Sequence, residues 1–396
     1  MIRSAARLGL QLTARVVPKL RVHVAPTEVL TLRSLQQRGC LDSFDVVYNA
    51  REHQAHRPVS FESSLHPIFE EHLSWRQEEA IVATIPNGRV WGRRGCVLTS
   101  DNALVEDVSR EFGAYKGLRG KDHSVCRRPW LPKLSFINET VAVIATPGSA
   151  NYHHWTYDTL PRLHLMQKAG VDLSSCRIIV DYTGSSFQEE SLSALGINPS
   201  NLICPPGQWN FHVRAKQLIV TTLPSELGTV SDWVYPFLRD TFLPQSGCPD
   251  VRSRRLYVSR QKAGSRKIRN QRQVEEFLWQ MGFEEVFAED LTVGEAARKF
   301  SEAEAVVSVH GSGLSNLSFA NRGVKVVDLV PPRHLDSYYW LMTDHVGGKY
   351  AYLFGEGDRP SGNVDLVREK VDEDIQVDVD KLRDVLAALD IRRERR

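Results

Sequence analysis

AEAVVSVHGSGLSNLSFA, residues 303–320, packs three elements into one short span. AVVSV is a short, apolar, β-branched run of the kind found in strands buried on both faces. His310-Gly311-Ser312-Gly313 is a loop with little bulk, and LSNLSFA reads as the opening of a helix. A helix start offers unpaired backbone N–H groups and the positive end of a dipole. Glycines let the main chain approach a bound group closely. Together they can cradle a phosphate, with His310, Ser312, Ser315 and Asn316 as added side-chain donors. A purely structural tight turn accounts for the same pattern. The dinucleotide fingerprint does not fit, because Asn316 stands where a third small residue belongs and Asp328 falls in mid-strand.

The same alternation extends on both sides. RLYVS (255–259), EEVFA (284–288) and VKVVDLV (324–330) read as further strands of one parallel sheet. Between them QVEEFLWQMG sets Val274, Phe277, Leu278 and Met281 on one helical face, and Thr292 with Glu295 forms a capping box. DIQVDV and the helix DKLRDVLAALDI close the chain. Upstream, TVAVIA (140–145), CRIIVD (176–181) and KQLIVTTL (216–223) repeat the pattern, with FQEESLSALG as a helix stopped by Gly196. Residues 80–107 are β-rich. Asn87-Gly88 between IVATIP and RVWG predicts a hairpin, and Ser100-Asp101-Asn102 a second turn.

The expected architecture is α/β. Two Rossmann-like, doubly wound domains enclose a cleft, with a β-rich N-terminal lead-in. The expected boundaries are a basic leader over 1–40, a first domain over 41–243, a linker over 244–255 (the Pro-, Gly- and Ser-containing PQSGCPDVRSRR) and a second domain over 256–396. Ligands of such folds bind beyond the C-terminal ends of the strands.

Two clusters are expected there. RLYVSRQKAGSRKIRN places Arg260, Lys262, Arg266, Lys267 and Arg269 just after a strand of the second domain. Arginines at that edge suit a diphosphate, since guanidinium pairs with phosphate oxygens in bidentate fashion; a solvated basic loop is the plainer account. In the first domain ANYHHWTYDTLPRL gathers His153, His154, Trp155, Tyr157, Asp158 and Arg162. Asp158 or a histidine is placed to take a proton from a hydroxyl. Trp155 and Tyr157 offer stacking faces for a sugar, and Arg162 a partner for an anion. Against these stand Asp158 as an N-cap ahead of Pro161 and Trp155 as core. Adjacent histidines diverge, so at most one reaches a reacting atom. Zinc ligation by His153 and His154 lacks a carboxylate or Cys partner at ligand spacing.

Composition excludes several classes. A net charge of +2 over 396 residues gives no general nucleic-acid binder. No run is long enough to span a membrane. The six cysteines form no CxxC pair, so neither a zinc knuckle nor a disulfide framework is indicated, and a reducing compartment fits. Residues 1–27 carry Arg3, Arg7, Arg15, Lys19 and Arg21 and no acid. Such a leader is a solvated terminus, an in-plane membrane contact or a targeting segment.

NYHHWTYDTLPRL, RLYVSRQ, HGSGLSNLSFA and VKVVDLVPP, in that order, resemble the catalytic domain of glycosyltransferase family 61. The resemblance spans roughly residues 80–380. It implies a GT-B arrangement and an inverting, metal-independent transfer from a nucleotide sugar, here expected to be UDP-linked, to a glycan or lipid-linked glycan acceptor. Capsule or surface-polysaccharide synthesis is the expected setting, in the cytoplasm or at the periphery of the inner membrane. Residue by residue, Arg260, Arg266, His310, Gly311, Ser312, Gly313 and Asn316 would hold the donor. Asp158, with His153 or His154, would supply the base, and Trp155, Tyr157 and Arg162 would meet the acceptor. No metal ligand and no further cofactor are implied. Two positions depart from the family pattern: Ser312 stands where Ala is usual, and Asn270-Gln271 replaces Asn-Glu, removing a carboxylate. A nucleotide-sugar epimerase and a catalytically inactive glycan- or nucleotide-binding protein are the competing readings.

Overall fold

The computed structural model describes residues 21–62, 64–112, 117–243, 253–357 and 372–393. The chain divides into two compact units, Met1–Ala50 with Glu78–Leu227 and Arg51–Gln77 with Gly228–Arg396.

In the first unit the strand His212–Thr221 lies at the heart of a ten-stranded sheet. It runs parallel to Ser135–Val143, which is followed by Arg177–Ile179 and Leu202–Ile203, also in parallel. On its other side it is antiparallel to Ala80–Pro86 and Arg89–Trp91. The sheet is therefore mixed, and the β-rich lead-in belongs to it. Asn87-Gly88 makes no hairpin. The strands before and after it pair with the same partner in one register, from Val82 opposite Thr221 to Trp91 opposite His212. Asn87 takes a positive φ of 54°, and the dipeptide is an irregularity within one antiparallel run. The turn at residues 100–102 does form: Leu98 pairs with Leu104 and Asn102 has φ 77°.

The second unit holds five parallel strands in the order Phe283–Val286, Arg254–Val258, Ala303–Val309, Lys325–Val330, Lys349–Phe354. In chain order this is 2-1-3-4-5, a doubly wound sheet whose direction of winding reverses between the first and third strands. Ala305, Val306, Val307 and Val309 of the central strand are all buried, as their apolar run requires. The helix Gln271–Gln280 buries Val274, Phe277 and Leu278, and the capping box of Thr292 and Glu295 is formed in full. The helix Tyr338–His345 and the strand Lys349–Phe354 complete the unit and were not read from the sequence.

The boundaries differ from those expected. The division falls between Leu227 and Gly228. The helix Val234–Phe242 belongs to the second unit because five of its nine residues are buried there. Its Arg239 Nη1 donates to the Phe319 and Ala320 carbonyls at 2.6 and 2.9 Å. Most of the expected linker, 244–252, and residues 1–20 of the leader lie outside the described residues. Residues 51–77 also join the second unit. Their helix Pro67–Glu71 seats Phe69 against Trp340 and Tyr352, and Val59 bridges Ala351 in parallel.

Candidate functional site

In the first unit, Asn151 opens the motif by accepting a hydrogen bond from His153 N at 2.9 Å. The helix widens to a π turn over Trp155–Thr159 before continuing as Leu160–Lys168. Pro161 has no N–H for the carbonyl one turn back, so the ladder loosens there. Such turns recur at functional sites. Asp158 is buried inside it and is not an N-cap. Its Oδ2 lies 2.8 Å from His154 Nδ1, and its Oδ1 accepts from Ser225 Oγ. Arg110, also buried, donates to the Ser225 carbonyl. Burial works to raise the Asp158 pKa, but His154, Arg110 and Ser225 outweigh it and draw the carboxyl down to about 2.

A carboxylate held that firmly is a poor proton acceptor, but it orients its neighbour well. With Nδ1 donating to Asp158, neutral His154 carries its lone pair on Nε2. The His154 side chain keeps 27% exposure against 5% for Asp158. Gly148 makes room for the ring: it has φ 84°, and a Cβ there would come within 2.7 Å of His154 Cδ2. His153 turns away, its ring perpendicular to that of His154, and packs 5.0 Å from Tyr157. Only one of the two histidines therefore reaches solvent readily.

The three residues expected to meet an acceptor do not present themselves. Trp155, Tyr157 and Arg162 are fully buried. Trp155 Nε1 donates to Ser191 Oγ at 2.8 Å. Arg162 donates to Thr221 Oγ1 and to the Ala145 carbonyl at 3.0 and 3.1 Å. A parallel-sheet core leaves strand-end carbonyls that need donors, and Arg162 supplies them.

In the second unit the glycine loop and the basic segment leave adjacent strands at the switch point. LSNLSFA forms a 3₁₀ helix, Ser312–Phe319, in place of an α-helix. Gly311 has extended backbone, φ 164°, so its need for glycine is steric: a Cβ would collide with the Arg260 guanidinium. Gly313 faces Val258 Cγ1 at 3.0 Å in the same sense. Arg266 Nη1 donates to the His310 carbonyl at 2.8 Å, and Arg260 Nη2 to the Ser265 carbonyl at 3.2 Å. The Nε atoms of both arginines are sealed from solvent with no acceptor. Among the described residues neither arginine has an ion-pair partner. Burial and the nearby Arg266 lower the Arg260 pKa to about 10. Of the other basic residues, Lys262 is paired with Asp290, while Lys267 and Arg269 are exposed.

Some expected donors are spent internally. Ser315 and Asn316 are buried, and Asn316 Nδ2 donates to the Gly313 carbonyl at 3.1 Å. Ser312 and Gly313 remain half-buried. The ring of His310 is turned inward, towards two carboxylates. It is buried, with Nδ1 2.7 Å from Asp328 Oδ2 and Nε2 3.3 Å from Asp336 Oδ2. Burial would lower its pKa, but the two carboxylates raise it to about 9. Asp328 also accepts from Tyr350 at 2.8 Å. Asp336 and His334, just past the end of VKVVDLV, were missed in the sequence although their strand-end position marked them. Arg110 and Ser225 carry no local signal at all.

The second unit is thus a doubly wound α/β fold with two arginines beside a glycine loop at its switch point, neither of them in an ion pair among the described residues. The family model Glycosyltransferase 61 matches residues 152–327. The chain therefore carries a glycosyltransferase family 61 domain, and that domain contains both clusters. A beta-1,2-xylosyltransferase of Oryza sativa subsp. japonica is 34% identical over 100 residues. That stretch is 25% of this chain and 17% of the relative. Among the described residues no helix is long and apolar enough to cross a membrane.

Proposed function

We propose that the chain is an inverting glycosyltransferase of GT-B arrangement, moving a sugar from a nucleotide-sugar donor to a glycan hydroxyl. The observation that carries this is the pair Arg260 and Arg266: two half-buried guanidiniums beside Gly311 and His310 that have no ion-pair partner among the described residues. A diphosphate gains negative charge as its bond to the sugar breaks, and fixed cations stabilise that charge without needing a metal. The first unit supplies the complementary chemistry. His154 Nε2 takes the proton of the attacking hydroxyl, and Asp158 holds the ring and steadies the imidazolium that forms. The assignment of the base to His154 and of the orienting role to Asp158 follows from the exposure of one and the burial of the other. UDP-linked donors, UDP-xylose among them given the name of the rice relative, are the first to try. A lipid-linked or capsular glycan is the acceptor class proposed, with the Arg-rich leader at the periphery of an inner membrane.

The test is a thermal-shift series of the full chain with nucleoside diphosphates and nucleotide sugars, with and without EDTA against matched blanks. Ligands of the native state raise the melting temperature by mass action. A shift with one diphosphate that persists in EDTA and disappears in Arg260→Ala is expected. No shift with any of them would remove the donor reading.

A further inference from the structure

We propose that His310, His334 and Asp336 form a zinc-type divalent-cation site that ties together two loops at the C-terminal edge of the second unit's sheet. His310 directly follows the strand Ala303–Val309; His334 and Asp336 lie between the strand Lys325–Val330 and the helix Tyr338–His345. One ring nitrogen from each histidine and one carboxylate oxygen lie within 4.8 Å of one another. Around a tetrahedral zinc ion, with ligand distances near 2.1 Å, such atoms stand roughly 3.4 Å apart. Side-chain adjustments of about 1 Å close the site on that geometry.

Two further features point to a cation. The Nε2 atom of His310 is sealed from solvent and makes no hydrogen bond; Asp336 Oδ2 at 3.3 Å is its ion-pair neighbour. On the far side of the ring, Nδ1 is 2.7 Å from Asp328, which accepts from the Tyr350 hydroxyl. A carboxylate behind the ligating imidazole fixes its orientation and raises its basicity, the usual outer support of a histidine-bound metal. The imidazoles of His310 and His334 meet edge to face, 5.2 Å between centroids. Two imidazoles and one carboxylate suit zinc and its neighbours over magnesium or calcium, which take oxygen ligands. The ion takes the place of the proton on His310 Nε2, and water fills the fourth position. It pins the loop whose His310 carbonyl receives Arg266. The inference stands apart from the transfer reading, because uptake is measured without donor or acceptor.

The experiment strips the full chain with chelator, then titrates Zn²⁺ by calorimetry and Co²⁺ by absorption, in parallel with His334→Ala and Asp336→Asn. One equivalent is expected, with cobalt bands of nitrogen and oxygen ligation and no thiolate charge-transfer band. Each variant should bind at least about tenfold more weakly with its circular dichroism unchanged. If His334→Ala fails to fold, the near-isosteric Asp336→Asn decides. Absence of uptake by the wild type, equal uptake by Asp336→Asn, or a thiolate band would overturn the site.

Discussion

His154 Nδ1 and Asp158 Oδ2 stand 2.8 Å apart across one π-widened turn, the histidine partly exposed and the aspartate buried. The division of labour between them makes a first prediction. Asp158→Asn should lower the rate of sugar transfer by about 10²–10⁴-fold, while nucleotide affinity stays within a few-fold. Steady-state kinetics beside calorimetry read the two separately. Parallel loss of both would make Asp158 a folding residue only.

The same carboxylate makes stability depend on pH. Its folded pKa, about 2, lies below the ordinary value of 3.8. A depressed pKa contributes stability that is complete above the ordinary value and is lost as pH falls through the folded one. The gap corresponds to about 2 kcal/mol. Urea unfolding of wild type and Asp158→Asn should therefore differ most near pH 5–7, and the difference should shrink by about that amount towards pH 2. A difference independent of pH would place the effect in packing.

Gly311→Ala should act on Arg260 and leave the backbone at ease, because Gly311 is extended. Nucleotide affinity is expected to fall about tenfold or more, as for loss of a charge-assisted contact, with the melting temperature little changed. Gly313→Ala, whose new methyl meets the apolar Val258 at 3.0 Å and Ala288 at 3.7 Å, should cost stability first. The reverse ranking in a binding titration would detach Arg260 from the donor.

Arg162→Ala should unfold the protein before it slows it. The change strips donors from the Ala145 and Thr221 carbonyls and from Thr221 Oγ1. Unsatisfied buried polar groups cost about 1–3 kcal/mol each. Denaturant midpoints should drop accordingly, while specific activity of the folded fraction holds. A raised acceptor KM at unchanged stability would restore Arg162 to the acceptor.

How far these features were legible in the sequence depended on how local their causes are. The capping box of Thr292 and the apolar face of Val274, Phe277 and Leu278 follow from spacing along one strand–loop–helix unit, and the placing of Arg260 near Gly311 from the shared C-terminal edge of one parallel sheet; all were read. Asn87-Gly88 misled because its turn chemistry is local, whereas the partner that keeps the chain straight is more than a hundred residues away. The aromatic and basic residues around Asp158 looked like a binding face, yet helix phase alone could not separate His154, which is accessible, from Trp155, Tyr157 and Arg162, which are core. Arg110 and Ser225 reach Asp158 only through the tertiary fold.

The detour of residues 51–77 into the second unit has a consequence for synthesis. Val59 must wait for Ala351, roughly 290 residues later, before its bridge can form. At 5–20 residues per second that is on the order of 15–60 s. Throughout that interval Phe69 and its neighbours have left the ribosome while Trp340 and Tyr352 do not yet exist. The nascent chain therefore carries Phe69 without Trp340 and Tyr352 for most of its translation. A gene divided at codon 228 would make that state permanent in its first half and leave the second sheet without its cover. The two units are separable as bodies of contacts but not as lengths of message.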